Sequence, residues 1–206
     1  MYAGLDWSGW KKGRHRVQVA ALAAVPDQAT LAEMFQETRR AANLPANFEF
    51  HAHECGVDNI IRLLDRLEAS MIPVRVALRG SFETLPEATM KANNHSMGNW
   101  HFAFGVDVIQ MFTERYPLAS LSCDHDIAGK KLQRQFITES KRAIRSDGVH
   151  QRTKITFEQS QQNECVQVAD IIAYITNRML RGDLDHPRLR RSINTICADQ
   201  ENIIIL

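Results

Sequence analysis

Tyr2-Ala3-Gly4-Leu5-Asp6, followed by Trp7-Ser8-Gly9 and then by His15-Arg16-Val17-Gln18-Val19-Ala20-Ala21-Leu22-Ala23-Ala24-Val25, opens the chain. The first five residues read as a short strand ending on an acid, with Trp7-Ser8-Gly9 as a turn. His15 to Val25 reads as a second strand that pairs with the first as a hairpin across Gly9–Gly13. Beyond this hairpin, strands and helices alternate, which indicates an α/β domain. A hairpin placed before the alternation begins predicts a mixed sheet in preference to a purely parallel one.

The rest of the chain fills in that outline. Asp27 or Thr30 caps a helix running to about Ala42, stopped by Asn43-Leu44-Pro45. A strand over Phe48–His53 ends at Glu54. Val57, Ile60, Ile61, Leu64 and Leu67 form a helical stripe ending before Pro73, and Val74–Leu78 reads as a strand. Gly80 to Gly98 is polar and rich in turn residues, open to reading as a substrate loop or as a plain connector. A buried helix over Phe102–Tyr116 stops at Pro117; next come a strand to Asp124, a basic helix Ile127–Arg145 and a strand at Lys154–Phe157. A helix bearing Asp170 and a final helix over Pro187–Cys197 complete the pattern. The closing Ile203-Ile204-Ile205-Leu206 is expected to dock on the core or on a second subunit, so a homodimer is one of two outcomes. At 206 residues, positions 1–206 read as a single domain.

Composition narrows the function classes. A hydrophobic share of 44% with 24% charged residues is ordinary for a globular protein. No apolar stretch reaches the ~18 residues expected of a membrane span. The opening residues lack the charged and apolar regions of a signal peptide, so a cytoplasmic protein is expected. Cysteines at 55, 123, 165 and 197 are scattered, with no Cys-x-x-Cys; that argues against a thiolate zinc site and fits reduced thiols. A net charge of +1 gives no global attraction to nucleic acid. The distribution is more informative. Lys130, Lys131, Arg134, Lys141, Arg142 and Arg145 lie on one helix, followed by Arg152 and Lys154. Arg178, Arg181, Arg188, Arg190 and Arg191 follow Asp170. Either group reads equally as a phosphate-backbone contact or as a solvated helix face.

Asp170 is the strongest pointer to chemistry. It stands in the apolar run Cys165-Val166-Gln167-Val168-Ala169-Asp170-Ile171-Ile172-Ala173-Tyr174-Ile175, whose nearly all-round hydrophobicity predicts a buried helix. A buried carboxylate is costly unless it is paired, hydrogen-bonded or bound to a metal. Asp6, Glu54 and Asp124 offer three more acids at predicted strand ends. Carboxylates so placed suit Mg²⁺ or Mn²⁺, ions whose chemistry is phosphoryl transfer.

Asp6-Trp7-Ser8-Gly9, Glu49-Phe50-His51-Ala52, Cys123-Asp124 and Gln167-Val168-Ala169-Asp170-Ile171-Ile172-Ala173 resemble the motifs of a ribonuclease H-like family known as domain of unknown function 3800. The resemblance spans positions 2 to about 175. It implies a ribonuclease H-like mixed sheet flanked by helices, and a metal-dependent nuclease that acts on nucleic acid. It also implies that Asp6 and Asp124 lie side by side at one end of the central strands, with Asp170 approaching from a helix. The fourth ligand is expected to be Glu54, a position similar to that used by resolvase-like members of the fold, with His51 as a proton-transfer or orienting group. Glu49 is the substitute. Trp7 stands where the family usually carries Glu, which puts one ligand or nearby acceptor in doubt.

Two other classes stay open. His51-Ala52-His53, with Asp124, His125 and Asp126, suits Zn²⁺ in a small-molecule metallohydrolase, because imidazole favours zinc. The Trp7 departure also suits a ribonuclease H-like domain that binds nucleic acid or protein without cleaving anything.

Overall fold

The computed structural model describes residues 1–12, 15–84, 97–125, 127, 129–145 and 153–206. β1 (Tyr2–Lys12) and β2 (His15–Val25) form the expected antiparallel hairpin, in register from Tyr2↔Val25 to Lys12↔His15. β1 is longer than the sequence suggested. Asp6 sits in mid-strand opposite Ala21, and Trp7-Ser8-Gly9 is paired strand instead of turn. Gly9 is there for packing: a Cβ at that position would lie 3.0 Å from the Trp100 ring.

α1 (Gln28–Ala41) starts where Asp27 accepts hydrogen bonds from the Ala29 N–H and the Thr30 hydroxyl. α2 (Val57–Ser70) buries Ile60 and Leu64 of its stripe, together with Leu63. β3 (Arg75–Thr84) pairs antiparallel with β2 and extends six residues beyond the expected Leu78. The rest of the Gly80–Gly98 segment, positions 85–96, lies outside the described residues. α3 (Met97–Thr113) leads to β4 (Ser120–Cys123), which pairs parallel with β1. α4 (Lys130–Arg145), β5 (Lys154–Phe157), a short 3-10 turn (Ser160–Gln162), α5 (Glu164–Leu180) and α6 (Pro187–Ala198) follow. β6 (Ile203–Ile205) closes the chain by pairing parallel with β3, so the apolar terminus docks on the sheet of its own chain. The six strands among the described residues run β5-β4-β1-β2-β3-β6, a mixed sheet flanked by helices as expected. No described helix is long and apolar enough to cross a membrane.

Period-two alternation sends each strand's side chains to two separate cores. One face, carrying Val17, Val19, Ala21 and Ala23, packs against α1, α2, α5 and α6 through Phe35, Ile60, Ile172 and Leu189. The opposite face, carrying Leu5, Trp7, Leu22 and Leu121, packs against α3 and α4 through Ile109, Phe112 and Phe136. The basic α4 is therefore on the other side of the sheet from Asp170.

α5 lies so close to β1 that only glycine fits at position 4. A Cβ there would stand 2.2 Å from the backbone of Cys165 and Val166. Gly4→Ala must therefore push strand and helix apart, and overpacking of this kind costs about 1–3 kcal/mol or more. A melting temperature lowered by roughly 2 °C or more is expected, and an unchanged one would contradict this contact.

The expected strand over Phe48–His53 does not form. The segment is irregular and turns at Ala52–Glu54. Its backbone is held by side chains of α5: the Phe50 N–H donates to Gln167 Oε1 (2.9 Å) and the Ala52 N–H to Asp170 Oδ2 (2.7 Å). Alternating polarity in this stretch reflects the packing of Phe48 and Phe50 beside Phe35, with no neighbouring strand to complete a ladder.

Candidate active site

Parallel pairing aligns the ends of β4 and β5 with the middle of β1. Leu5 lies beside Cys123, and Cys123 beside Phe157. The ladder continues one step: the Asp124 N–H donates to the Leu5 carbonyl and the Glu158 N–H to the Cys123 carbonyl, both at 3.0 Å. The next row across the sheet therefore reads Asp6, Asp124, Glu158. By alternation these acids share the face of Gly4, Ser122 and Thr156, which is the face that α5 covers. Cys123 beneath them is pushed far up as an acid, first by burial and then by Asp124, Glu158 and Asp6.

Asp170 reaches the same place from the helix. α5 runs along β1 from the Gly4 contact to Asn177, whose Nδ2 donates to the Ser8 carbonyl at 3.0 Å. Asp170, 5% exposed, lies between these anchor points. Its carboxyl is pushed above the ordinary range, mainly by burial and further by Asp124; the Ala52 N–H, His51 and His53 pull the other way. Asp6 is equally buried, and its Oδ1 accepts from the Trp7 N–H at 2.6 Å. Asp6, Asp124 and Asp170 thus lie on one side of the sheet, with Asp124 close enough to Asp170 to raise its pKa. Beside them opens a cleft of ≈ 510 Å³ lined by Glu49, Asp124, His125, Gln159, Ser160 and Gln161.

This sheet, with three acids on one face, belongs to a fold shared with known structures. The chain is similar in structure to the PCNA:RNase HII complex from Archaeoglobus fulgidus, with a TM-score of 0.56 and 15% identity over 96% of this chain and 87% of that one. The fold is ribonuclease H-like. A ribonuclease H2 from Pyrococcus horikoshii OT3 also matches, at a TM-score of 0.47 and 10% identity over 96% of this chain and all of that one. Neither a protein-family model nor a curated protein sequence matches the chain.

Within the ribonuclease H-like frame, the candidate residues separate. Trp7 explains itself. Its ring points to the face opposite Asp6, edge-on to Phe136, and its Nε1 donates to the His101 carbonyl at 2.8 Å. An apolar ring at position 7 thus completes the α3–α4 core and takes no group from the side where Asp6, Asp124 and Asp170 meet.

Glu54 is exposed on its turn and does not line the cleft, whereas Glu49 does, its carboxylate accepting a short hydrogen bond from the Ser160 hydroxyl. No strand forms to set Glu49, His51 and His53 on one face by alternation. His51 instead turns inward with a buried Nδ1 that has no partner, and His53 meets Tyr174 edge-on at 4.7 Å. Asp126 lies outside the described residues. Among those described, no group of three or more His, Cys, Asp or Glu side chains is arranged to hold a metal ion. Asp6 and Asp170 each direct one carboxylate oxygen to a backbone N–H.

Three contributors escaped the sequence. Glu158 accepts from Thr156 and from Asn163; burial pushes its pKa up, but these bonds with one from Ser122 hold it below the ordinary value. Its signal was legible, since it ends the Lys154–Phe157 strand as Asp124 ends its own. Gln167, fully buried, bridges Phe50 to the Ser160 carbonyl (3.0 Å); its spacing of three from Asp170 places both on one helix face. Asn163 caps α5, as an asparagine just before a helix does, and donates to Ser122 (2.9 Å), a contact no local pattern announces.

Proposed function

We propose that this ribonuclease H-like domain is a divalent-cation-dependent nuclease that hydrolyses a phosphodiester, and a member of the family known as domain of unknown function 3800. The observation that carries the reading is the meeting of Asp6, Asp124 and Asp170 on one face of the sheet, next to an open cleft. The donor set is all carboxylate oxygen, which suits Mg²⁺ or Mn²⁺ over softer ions. Like charges also raise one another's pKa, so these carboxylates gain when a cation joins them. Asp6, Asp124 and Asp170 would hold the metal, with Glu49, in the cleft, a better-placed fourth acid than Glu54.

A bound cation would neutralise charge on the phosphate oxygens and acidify the attacking water. The chain supplies the rest. Asp170 is fixed by the Ala52 N–H, and Gln167 fixes the segment that carries Glu49 and His51. His51 would carry a proton to or from the reacting oxygens, a role supported by its buried Nδ1 without a hydrogen-bond partner and its nearness to Asp170. The family resemblance supports the same residues, since Gln167 and Asp170 of its helix motif both grip the Phe50–Ala52 backbone.

Labelled RNA, DNA and RNA–DNA hybrid strands incubated with the protein and Mn²⁺ should be cut, and chelation should stop the cutting. Binding without cleavage and indifferent to chelator, or stoichiometric zinc in the purified protein, would overturn the proposal.

A further inference from the structure

The α5 face of the sheet changes character with distance from the acids. α5 and β1 run together from Asp170 and Asp6 towards the end of the hairpin. Along the helix the path from Asp170 through Tyr174 and Arg178 to Arg181 covers about 16 Å at 1.5 Å per residue. Rings and cations alternate along it. The Arg178 guanidinium lies 5.9 Å from the Tyr174 ring centre, and that of Arg181 lies 5.1 Å from the Trp10 ring. By alternation Trp10 and Lys12 point to this same side of β1. Lys12 pairs across the hairpin with His15, whose ring stacks on Phe82 at 5.9 Å and 23°. Phe82 is 51% exposed, a large share for a phenylalanine.

The strip is also positive. Asp183 is shared by Arg178 (3.4 Å) and Arg181 (2.7 Å), so one carboxylate faces two guanidinium groups, with Lys12 in addition. The Arg181 Nε is buried without a hydrogen-bond partner. Interleaved rings and cations fit a chain of phosphates carrying flat, unpaired bases, because rings stack on any base and cations follow the backbone. A duplex keeps its base faces stacked internally and offers the rings nothing.

We propose that Trp10, Lys12, His15, Phe82, Arg178 and Arg181 form a track for a single-stranded nucleic acid leading to the carboxylates. The placement of the scissile phosphate rests on the nuclease reading above; the binding itself does not. The exposed cations of α4 take no part, since they lie on the opposite face of the sheet.

The test is fluorescence anisotropy of the full chain with an end-labelled oligothymidine of about 12 nucleotides, within the range of such sites, in chelator so that nothing is cut. Trp10→Ala should weaken binding about 5- to 150-fold, the measured range for one stacked base, and Trp10→Phe should restore most of it. Lys12→Ala, an exposed change that leaves folding alone, should make the log-affinity against log-salt slope shallower by about 0.7. Lys141→Ala with Arg142→Ala on α4 should change neither quantity. Equal affinity for a blunt duplex of the same length would overturn the track, as would polyglutamate competing as well as the strand. Unchanged binding in both Trp10→Ala and Lys12→Ala would overturn it too. Absence of cleavage with these binding results intact would count against the carboxylate chemistry and leave the track standing.

Discussion

Asp124→Asn should reduce phosphodiester cleavage by about 10²–10³-fold while leaving the protein folded, since a cation's stabilisation of transition-state charge is worth several kcal/mol and each 1.36 kcal/mol is a factor of ten. Asp124 occupies the middle of the row between Asp6 and Glu158 and faces the cleft with Glu49 and His125. It is half-buried, and among the described residues its side chain makes no hydrogen bond, so its removal opens no cavity and orphans no donor. Its melting temperature should stay within about 2 °C of the parent, as for substitutions outside the core. Cleavage rates in Mn²⁺ together with a thermal melt decide the matter. A folded Asp124→Asn protein that cuts at the parent rate would remove Asp124 from the site.

Asp170→Asn should separate stability from function in the opposite direction. Burial, aided by Asp124, holds the Asp170 carboxyl above its ordinary value. A carboxyl raised on folding contributes stability that is complete below the unfolded value of about 4 and lost as pH rises through the folded one. At neutral pH the metal-free protein therefore carries an unfavourable buried charge. Asparagine keeps an oxygen for the Ala52 N–H and discards the charge. The metal-free variant should melt higher at pH 7, by about 0.5–2 kcal/mol, the usual gain when a functional group is replaced for stability. The gap between variant and parent should close as the pH falls towards 4. The response to metal should reverse the order. Mg²⁺ or Mn²⁺ at a hundred times its dissociation constant stabilises the parent by about 2.7 kcal/mol, or roughly 5–10 °C, and should leave Asp170→Asn unmoved. Melts at pH 4 to 8, with and without cation, test both halves. A variant less stable than the parent at pH 7 would mean that the charge of Asp170 is satisfied within the protein itself. An equal shift with metal in both proteins would place the cation elsewhere.

Local signals carried much of the fold. The caps at Asp27 and the stripe from Val57 to Leu67 are written in neighbouring residues, and the structure places α1 and α2 where they point. The opening hairpin was legible for the same reason, although β1 continues through Gly9, paired with Gln18, where a distant Trp100 ring leaves little room for a side chain. The segment from Phe48 to Glu54 was misread, because its alternation satisfies strand geometry as well as it satisfies Phe48 and Phe50 packing under α5. Nothing nearby in sequence could tell that its hydrogen bonds go to Gln167 and Asp170, more than a hundred residues on.

The candidate site divides in the same way. That Asp170 is buried, and must therefore have a partner, follows from its apolar neighbours alone. That Asp6 and Asp124 stand on strands is likewise local. Which acids meet is a matter of register between chain segments far apart: Leu5 beside Cys123 and Cys123 beside Phe157 bring Glu158 into the row, and the turn at Ala52 leaves Glu54 outside the cleft while Glu49 enters it. A sequence fixes hydrophobic period and chain punctuation, because these depend on residues within a few positions of one another. Pairing partners and the side of the sheet on which a helix lands are settled by packing the whole chain, and only then does α4 fall on the far face and the strip from Tyr174 to Lys12 on the near one.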